Sequence, residues 1–174
     1  MITVTHLIAG LGKAGAETML YNILKYSDRQ QFQHIVISMG AGSYYENAIK
    51  QLNIPLYVFD IKKRPVSSLI KIRKLLHKSQ VISCWMYHSC ILGYFLTTSK
   101  QHYRLIWNIR QNNLEPRYNK RSTIMIAKCC AYYSKNVAMI VYNGKPAKEL
   151  HERFGYNSLK SQVADNGCDT EKFK

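Results

Sequence analysis

Three glycines in six positions, Gly10, Gly12 and Gly15, constrain the fold of this chain more than any other feature. They follow the β-branched, apolar segment 2–8 and precede segment 16–26, whose apolar residues recur at helical spacing. A strand, a glycine-rich turn and a helix in this order form the first unit of a parallel α/β sheet. Such a turn also lets backbone N–H groups approach a phosphate at the positive end of the helix dipole.

Strand-like and helix-like segments then alternate over the whole chain. The 174 residues, of which 47% are hydrophobic, suffice for one domain whose core needs neither disulfides nor metal. The alternation predicts an α/β fold, a single Rossmann-like domain with a mostly parallel sheet that binds ligands at the carboxyl ends of its strands. Strands are predicted over residues 2–8, 33–39, 55–59, 80–86, 103–109, 137–142 and 162–164, and helices over residues 16–26, 44–52, 66–78, 89–98, 119–133 and 147–154.

The cysteines and the lengths of the apolar segments indicate in which cellular compartment the protein is expected. Five cysteines, an odd number without a C-x-x-C pair, lie mostly in apolar stretches, which is typical of reduced core thiols in a cytosolic protein. The longest strongly apolar stretches fall short of the ~18 residues that a membrane span requires. We therefore expect a cytoplasmic protein without export signal or spanning helix, and no residues with the spacing of metal ligands. The cysteines are Cys84, Cys90, Cys129, Cys130 and Cys168.

The net charge is +15, from 25 Lys and Arg against ten Asp and Glu. So large an imbalance attracts anionic partners, and nucleic acid, an anionic membrane and phosphorylated small molecules all remain open. The cations lie in short clusters such as 62–64 and 71–74 rather than in one tail. A basic surface that serves only solubility is the other interpretation.

The glycines also fit the letters of the dinucleotide fingerprint G-x-G-x-x-G, so an oxidoreductase is a formal alternative. Against it, the second predicted strand ends at Ser38-Met39-Gly40, with no acidic residue to hold a ribose. Glycines that serve only a tight turn between strand and helix are a further alternative.

The stretch His6-Leu7-Ile8, followed by Gly10-Leu11-Gly12-Lys13-Ala14-Gly15-Ala16-Glu17, closely resembles the opening of the family 4 (group 1) nucleotide-sugar glycosyltransferases. Their first strand runs into G-L-x-x-G-G-A-E, and Ala14 stands here in place of the first paired glycine. The tail 163–173 is similar to the family's V-I-P-N-G-x-D-x-x-x-F segment, with Ala164 and Asp165 in place of Ile and Pro. Three further stretches resemble the family in the same order: Trp85-Met86-Tyr87-His88 with Gly93, Trp107-Asn108-Ile109-Arg110, and Val141-Tyr142-Asn143-Gly144 leading to His151 and Phe154-Gly155-Tyr156.

The resemblance implies a GT-B architecture, in which two Rossmann-like domains face each other across a cleft. Residues 1–164 would be the acceptor-side domain, and residues 165–174 would begin the crossing to a donor-binding domain that the chain lacks. The implied enzyme is a retaining glycosyltransferase that moves a sugar from a nucleotide diphosphate sugar to a glycan or lipid-linked acceptor, in bacterial surface polysaccharide synthesis. No cofactor or metal is implied, nucleic acid is not an expected partner, and this chain alone is expected to be inactive.

The resemblance also implies roles for residues at the carboxyl ends of the strands. Gly12 and Gly15 would face the donor diphosphate, and His88 would be the catalytic residue beside the sugar at the reacting centre. Apart from the resemblance, Arg110 and Asn143 lie at the ends of the fifth and sixth predicted strands and are expected to bind substrate, because a guanidinium suits a phosphate or an acidic acceptor and an amide group can bond a hydroxyl. The structural alternatives are a packed or helix-start histidine, a salt-bridged arginine and an asparagine–glycine turn.

Two expectations concern residues away from this site. His34, His77 and His102 are expected at the surface. The predicted helix 119–133 combines basic and aromatic residues with an apolar stripe, which suits peripheral contact with an anionic membrane, although most such helices simply pack on a sheet. The alternative from another functional class is a non-catalytic basic α/β module that binds nucleic acid or another polyanion.

Overall fold

In the computed structural model, which describes residues 1–41, 44–97 and 103–167, strands and helices alternate as the sequence predicts. Every predicted element is present: the first strand has the predicted ends, and the described ends of the others lie within three residues of the predicted ones. Residue 98, the predicted end of the fourth helix, lies outside the described residues. The described residues form seven strands and six α-helices: β1 (Ile2–Ile8), α1 (Gly15–Tyr26), β2 (Phe32–Ser38), α2 (Glu46–Gln51), β3 (Leu56–Val58), α3 (Pro65–Leu76), β4 (Val81–Trp85), α4 (Met86–Thr97), β5 (Arg104–Ile109), α5 (Arg121–Tyr133), β6 (Met139–Tyr142), α6 (Lys145–Arg153) and β7 (Ser161–Val163).

The seven strands form one parallel sheet in the order β3-β2-β1-β4-β5-β6-β7. The chain proceeds outward from β1 to β3 and then returns to the other side of β1 with β4. This reversal places the carboxyl ends of β1 and β4 side by side, with Ile8 opposite Trp85. In open parallel sheets, ligands bind in the crevice at such a reversal. The predicted Rossmann-like domain is confirmed.

The helices cover both faces of the sheet. Right-handed crossovers put α1 and α2 on one face and α3 to α6 on the other, because the direction of strand addition changes after β3. The core under α1 and α2 includes Leu20, Leu24 and Ile49, while the larger core on the opposite face includes Trp107 and Cys130. Burial on both faces explains why the central strands are almost continuously apolar.

Gly93 sets the distance between α4 and the sheet. A Cβ added at Gly93 would collide with the sulfur of Cys84 in β4. Glycine therefore permits a closer approach of α4 than any other residue would. α4 also carries His88, the catalytic residue that the resemblance implies.

The cysteines follow the sequence expectation with one exception. Cys84, Cys90 and Cys130 are buried and free, and burial raises the pKa of each thiol, that of Cys130 to about 12. Cys129 is exposed on α5, so its expected place in the core is wrong. Cys168 lies outside the described residues. Within the described ranges, no helix is long and apolar enough to cross a membrane.

Candidate functional site

The glycine loop lies at the reversal of strand order, between the end of β1 and the start of α1. Ala14, the residue before the helix, is extended and has no side-chain group that can cap it. The first turn of an α-helix has backbone N–H groups without partners inside the helix. At α1 these donors, and the positive end of the helix dipole, are available to an anion at the carboxyl edge of the sheet.

The glycines of the loop are not required by the fold of the chain itself. A Cβ at Gly10, Gly12 or Gly15 would meet nothing within 4 Å. None of the three has the left-handed backbone that favours glycine, which among the described glycines is found at Gly155. If these glycines served only a tight turn, we would expect a lack of room for a Cβ atom or a left-handed backbone at one of them. Neither is found at Gly10, Gly12 or Gly15. The loop therefore presents bare backbone toward the outside of the chain.

His88 is exposed in the first turn of α4. The helix begins directly after β4, so the loop expected after Met86 does not exist. At helical spacing, His88 shares the outward face of α4 with Ile91, Leu92 and Phe95. It has no hydrogen-bond partner among the described residues, and its exposure excludes a packed histidine. Its place in the first turn of α4 matches the helix-start alternative, so its catalytic role stays a prediction.

Met86 forms an unusual junction between β4 and α4. Its φ of 66° lies in the left-handed region, which is a genuine outlier for a bulky residue. The Met86 Sδ atom accepts the backbone N–H of Arg110 at 3.4 Å, which joins the junction to the end of β5. Strain of this kind costs on the order of 1–3 kcal/mol and is found mostly at functional sites.

Arg110 holds the segment that follows β7, residues 164–167, which we call the exit segment. Its Nη1 donates to the carbonyl oxygen of Ala164 at 3.0 Å and to Oδ1 of Asn166 at 2.9 Å. The guanidinium lies over the ring of Trp85, 5.6 Å from the ring centre, and partial burial lowers its pKa. Ala164 and Asn166 are uncharged, so Arg110 is not the salt-bridged residue of the structural alternative. Its Nη1, one of the donors expected to bind substrate, already bonds the exit segment.

Two polar atoms at this edge have no partner among the described residues. Arg110 and Asn143 follow Ile109 and Tyr142, which face each other across β5 and β6. The Nε donor of Arg110 and the Oδ1 acceptor of Asn143 are both buried without a hydrogen bond. A buried polar group left unsatisfied costs about 1–3 kcal/mol, so a ligand that offers one acceptor and one donor would stabilise this edge.

A buried histidine pair beneath the site was missed by the sequence reasoning. Trp85 Nε1 can only donate, so Nδ1 of His6 accepts at 3.3 Å, and Nε2–H of His6 donates to Nδ1 of His34 at 3.0 Å. His34 Nε2–H then donates to Ser27 Oγ at 2.7 Å. Burial lowers the pKa of His6 to about 3 and lowers the pKa of His34, so both rings stay neutral.

The surface position expected for His34 is therefore wrong, because its side chain is only 4% exposed. Its place inside an apolar strand was the available signal. His77 is half-buried with its ring edge-on to Tyr103, and His102 lies outside the described residues.

His151, part of one of the family-like stretches, is a packing residue. Its Nδ1–H donates to the carbonyl oxygen of Ala147 at 2.7 Å, so its Nε2 accepts the hydroxyl of Tyr87 at 2.6 Å. The side chain is fully buried, and burial lowers its pKa. The pair joins α6 to α4. Over the described part of the chain, no group of three or more His, Cys, Asp or Glu could hold a metal ion.

Comparison with known proteins finds one matching family and several solved structures of similar fold. The model of Glycosyltransferase Family 4 matches residues 13–172. HepE from Anabaena in complex with UDP-glucose has a TM-score of 0.80 at 16% identity, over 98% of this chain and 45% of that chain. The lipopolysaccharide outer core galactosyltransferase WaaB has a TM-score of 0.66 at 12% identity, over 96% of this chain and 46% of that chain. UDP-N-acetylglucosamine 2-epimerase from Rickettsia bellii has a TM-score of 0.65 at 13% identity, over 95% of this chain and 45% of that chain.

A comparison with curated proteins finds no match. The low identities to solved structures show the fold alone, which is that of the N-terminal half of a GT-B glycosyltransferase. The chain spans about 45% of the length of HepE. The family match covers nearly the whole sequence, including the start of α1, the β4–α4 junction and the ends of β5 and β6. The chain belongs to glycosyltransferase family 4.

Proposed function

We propose that this chain is the acceptor-side domain of a retaining glycosyltransferase that uses a nucleotide diphosphate sugar as donor. The acceptor is a glycan or lipid-linked sugar of bacterial surface polysaccharide synthesis, in the cytoplasm at the inner face of the membrane. The observation that carries the proposal is the open glycine loop beside the uncapped start of α1, at the reversal of strand order. HepE has been solved with UDP and with UDP-glucose, which supports this class of donor.

The loop would act on the leaving group. Negative charge grows on the nucleoside diphosphate as the sugar bond breaks, and the N–H groups around Gly12 and Gly15 would stabilise it across the cleft. Glycine is needed there because a side chain would keep the diphosphate oxygens away from the backbone. A partner domain of the GT-B type would hold the rest of the donor.

The remaining residues would hold the sugars. His88, exposed one turn from the loop edge of the sheet, would hydrogen-bond the transferred sugar or stabilise charge beside it. The unsatisfied Oδ1 of Asn143 would accept a sugar hydroxyl, and Nε of Arg110 would donate to an oxygen of the same substrate. No metal or cofactor takes part in this proposal.

A titration of the ¹⁵N-labelled chain with UDP, UDP-glucose and uridine tests the loop. We expect the amide signals of Gly12, Gly15 and the first turn of α1 to move with UDP and UDP-glucose but not with uridine, because only the former carry a diphosphate. Gly15→Val should abolish these shifts without unfolding the chain, since its Cβ position is open. The exposed Ser158→Val is the matched control for added bulk. Equal shifts with uridine, or shifts only at distant residues, would overturn the proposal.

A second experiment tests His88. In an enzyme that joins this chain to a donor-binding domain, His88→Ala should lower turnover on the order of 100-fold, the usual effect of losing one charge-stabilising group. Donor affinity and melting temperature should stay near those of the wild type because the side chain is exposed. Full activity in the variant would remove His88 from the site.

A further inference from the structure

The connection between β2 and α2 contacts the glycine loop at both of its ends. At its start, a Cβ at Gly40 would lie 3.1 Å from the carbonyl oxygen of Ala9, so glycine permits a close approach of the two backbones. At its end, the N–H of Tyr45 donates to the carbonyl oxygen of Leu11 at 2.9 Å. Because β2 pairs with β1 on the side opposite β4, this side of the glycine loop lies away from the ends of β4, β5 and β6.

Tyr45 is fixed on α1 by its hydroxyl and by its ring. Thr18 donates its one hydroxyl hydrogen to the carbonyl oxygen of Ala14 at 2.9 Å, so the Tyr45 hydroxyl donates to Thr18 Oγ1 at 2.8 Å. The ring of Tyr45 stacks on that of Tyr21, with 5.3 Å between the ring centres. Since its backbone, hydroxyl and ring are all bonded or packed, Tyr45 is a firm support for the residue before it.

That residue, Tyr44, is exposed beside a lysine of the glycine loop. The Tyr44 ring meets the ring of Tyr45 edge-on, with 4.9 Å between centres, yet Tyr44 is 63% exposed. The ammonium of Lys13 lies 5.5 Å from the centre of the Tyr44 ring. Among the described residues Lys13 forms no salt bridge, so its charge is available to an anion. We call Lys13 and Tyr44 the lysine–tyrosine pair.

The lysine–tyrosine pair differs from the other contacts of this kind in the described part of the chain. Three other exposed tyrosines have a cation over the ring, but each cation comes from a residue at most three positions away, where local chain geometry suffices. Lys13 and Tyr44 belong to separate loops, so the fold itself brings them together at the carboxyl edge of the sheet. The three local pairs are Lys25–Tyr26, Arg117–Tyr118 and Lys135–Tyr132.

We propose that the lysine–tyrosine pair binds a pyranose ring that carries an anionic group, a carboxylate or a phosphate. The C–H groups on one face of a pyranose pack on the electron-rich face of an aromatic ring, and Tyr44 offers an exposed ring for this contact. The ammonium of Lys13 donates to the anionic group. A neutral sugar leaves this ammonium without a counter-charge. A nucleobase also stacks on tyrosine rings, but in the proposed enzyme the partner domain holds that end of the donor.

In the proposed enzyme this pyranose is a sugar of the acceptor other than the one that reacts. His88 follows β4, whereas the lysine–tyrosine pair lies on the β2 side of the glycine loop. The reacting sugar and the anionic sugar therefore bind on opposite sides of the loop that faces the donor diphosphate. The assignment of the anionic sugar to the acceptor rests on the proposed function, whereas its binding to this chain does not.

A titration of the ¹⁵N-labelled chain with three monosaccharides tests the ligand class. Methyl glucuronide carries a carboxylate, glucose 6-phosphate carries a phosphate, and methyl glucoside is neutral. We expect the amide signals of Lys13, Tyr44 and Tyr45 to move with the anionic sugars, and methyl glucoside to bind about fivefold more weakly, the upper effect of one exposed ion pair. The anionic sugar that binds more tightly identifies the acidic group.

Single variants test the two residues. Tyr44→Ala should weaken the binding of the anionic sugars about tenfold, and Lys13→Gln should weaken it about fivefold while binding of methyl glucoside stays the same. Tyr132→Ala and Lys135→Gln are the matched controls, because Tyr132 is 68% exposed with the Lys135 ammonium 5.4 Å from its ring centre. Neither control should change sugar binding. Melting temperatures should stay near that of the wild type, since Tyr44 and Lys13 are exposed.

Three results would overturn the proposal. They are equal affinity for methyl glucoside and the anionic sugars, equal losses in the control variants, and loss of the UDP response in Tyr44→Ala with sugar binding intact, which would place the nucleobase on the ring. The response of Gly12 and Gly15 to UDP should persist in Tyr44→Ala. Failure of the sugar titration with an intact UDP response refutes the anionic-sugar site alone, whereas a wild-type chain that fails to respond to UDP refutes the proposed function.

Discussion

Acidification should destabilise this protein through the buried His6. In the unfolded chain an ordinary histidine binds a proton near pH 6.5, whereas burial and the neighbouring His34 lower the pKa of His6 to about 3 in the native state. Between these values the unfolded state binds more protons than the native state. The contribution of neutral His6 to the free energy of unfolding is therefore fully present above pH 6.5, and it is lost as the pH drops toward 3.

The size of the effect follows from the same two values. Each pH unit below the unfolded pKa costs about 1.4 kcal/mol per proton, so His6 alone lowers the free energy of unfolding by about 2 kcal/mol at about pH 5. His34 and His151, whose pKa values are also lowered by burial, act in the same direction. For a domain with typical stability of about 5–15 kcal/mol, this loss is readily measured.

Urea unfolding followed by circular dichroism at about pH 7 and about pH 5 provides the measurement. The difference between the two values should shrink by about 2 kcal/mol in His6→Gln, because glutamine does not titrate. The difference is taken within one variant, so a lower overall stability of His6→Gln does not affect it. His88→Gln removes an exposed histidine and should keep the wild-type difference. A wild-type stability that is the same at both pH values would refute the reasoning, as would an unchanged difference in His6→Gln.

Three other predictions follow from the packing and the site. Gly93→Ala should lower the free energy of unfolding by about 1–3 kcal/mol in urea titrations, because the new methyl group collides with Cys84, whereas Gly15→Ala should change it far less. Arg110→Gln should speed amide hydrogen exchange at Ala164, whose N–H donates to the carbonyl oxygen of Tyr142, while exchange in β1 stays slow, since two hydrogen bonds to the exit segment are lost; unchanged exchange at Ala164 would show that the arginine does not hold the segment. The chain alone should unfold cooperatively yet transfer no sugar from UDP-glucose, because catalysis requires donor and acceptor groups to be held together, and turnover by the chain alone would contradict this.

Much of the fold follows from local sequence chemistry. Short β-branched, apolar segments predict the strands, helical spacing of apolar residues predicts the helices, and Gly10, Gly12 and Gly15 mark the first turn. These features depend on neighbours within a few residues, so they can be recognised without the tertiary structure. The elements whose ends were misplaced, such as the start of α4, depend instead on how the next strand and helix pack.

The sequence by itself determined the order of elements, the parallel sheet and the position of the glycine loop, because periodicity and turn chemistry are local. Only the tertiary structure decided that β4 returns to the side of β1, since strand order depends on pairing between distant segments. The tertiary structure alone shows that His34 bonds His6 and that Arg110 bonds the exit segment. The two histidines are 28 positions apart in the sequence, and Arg110 is 54 positions from Ala164.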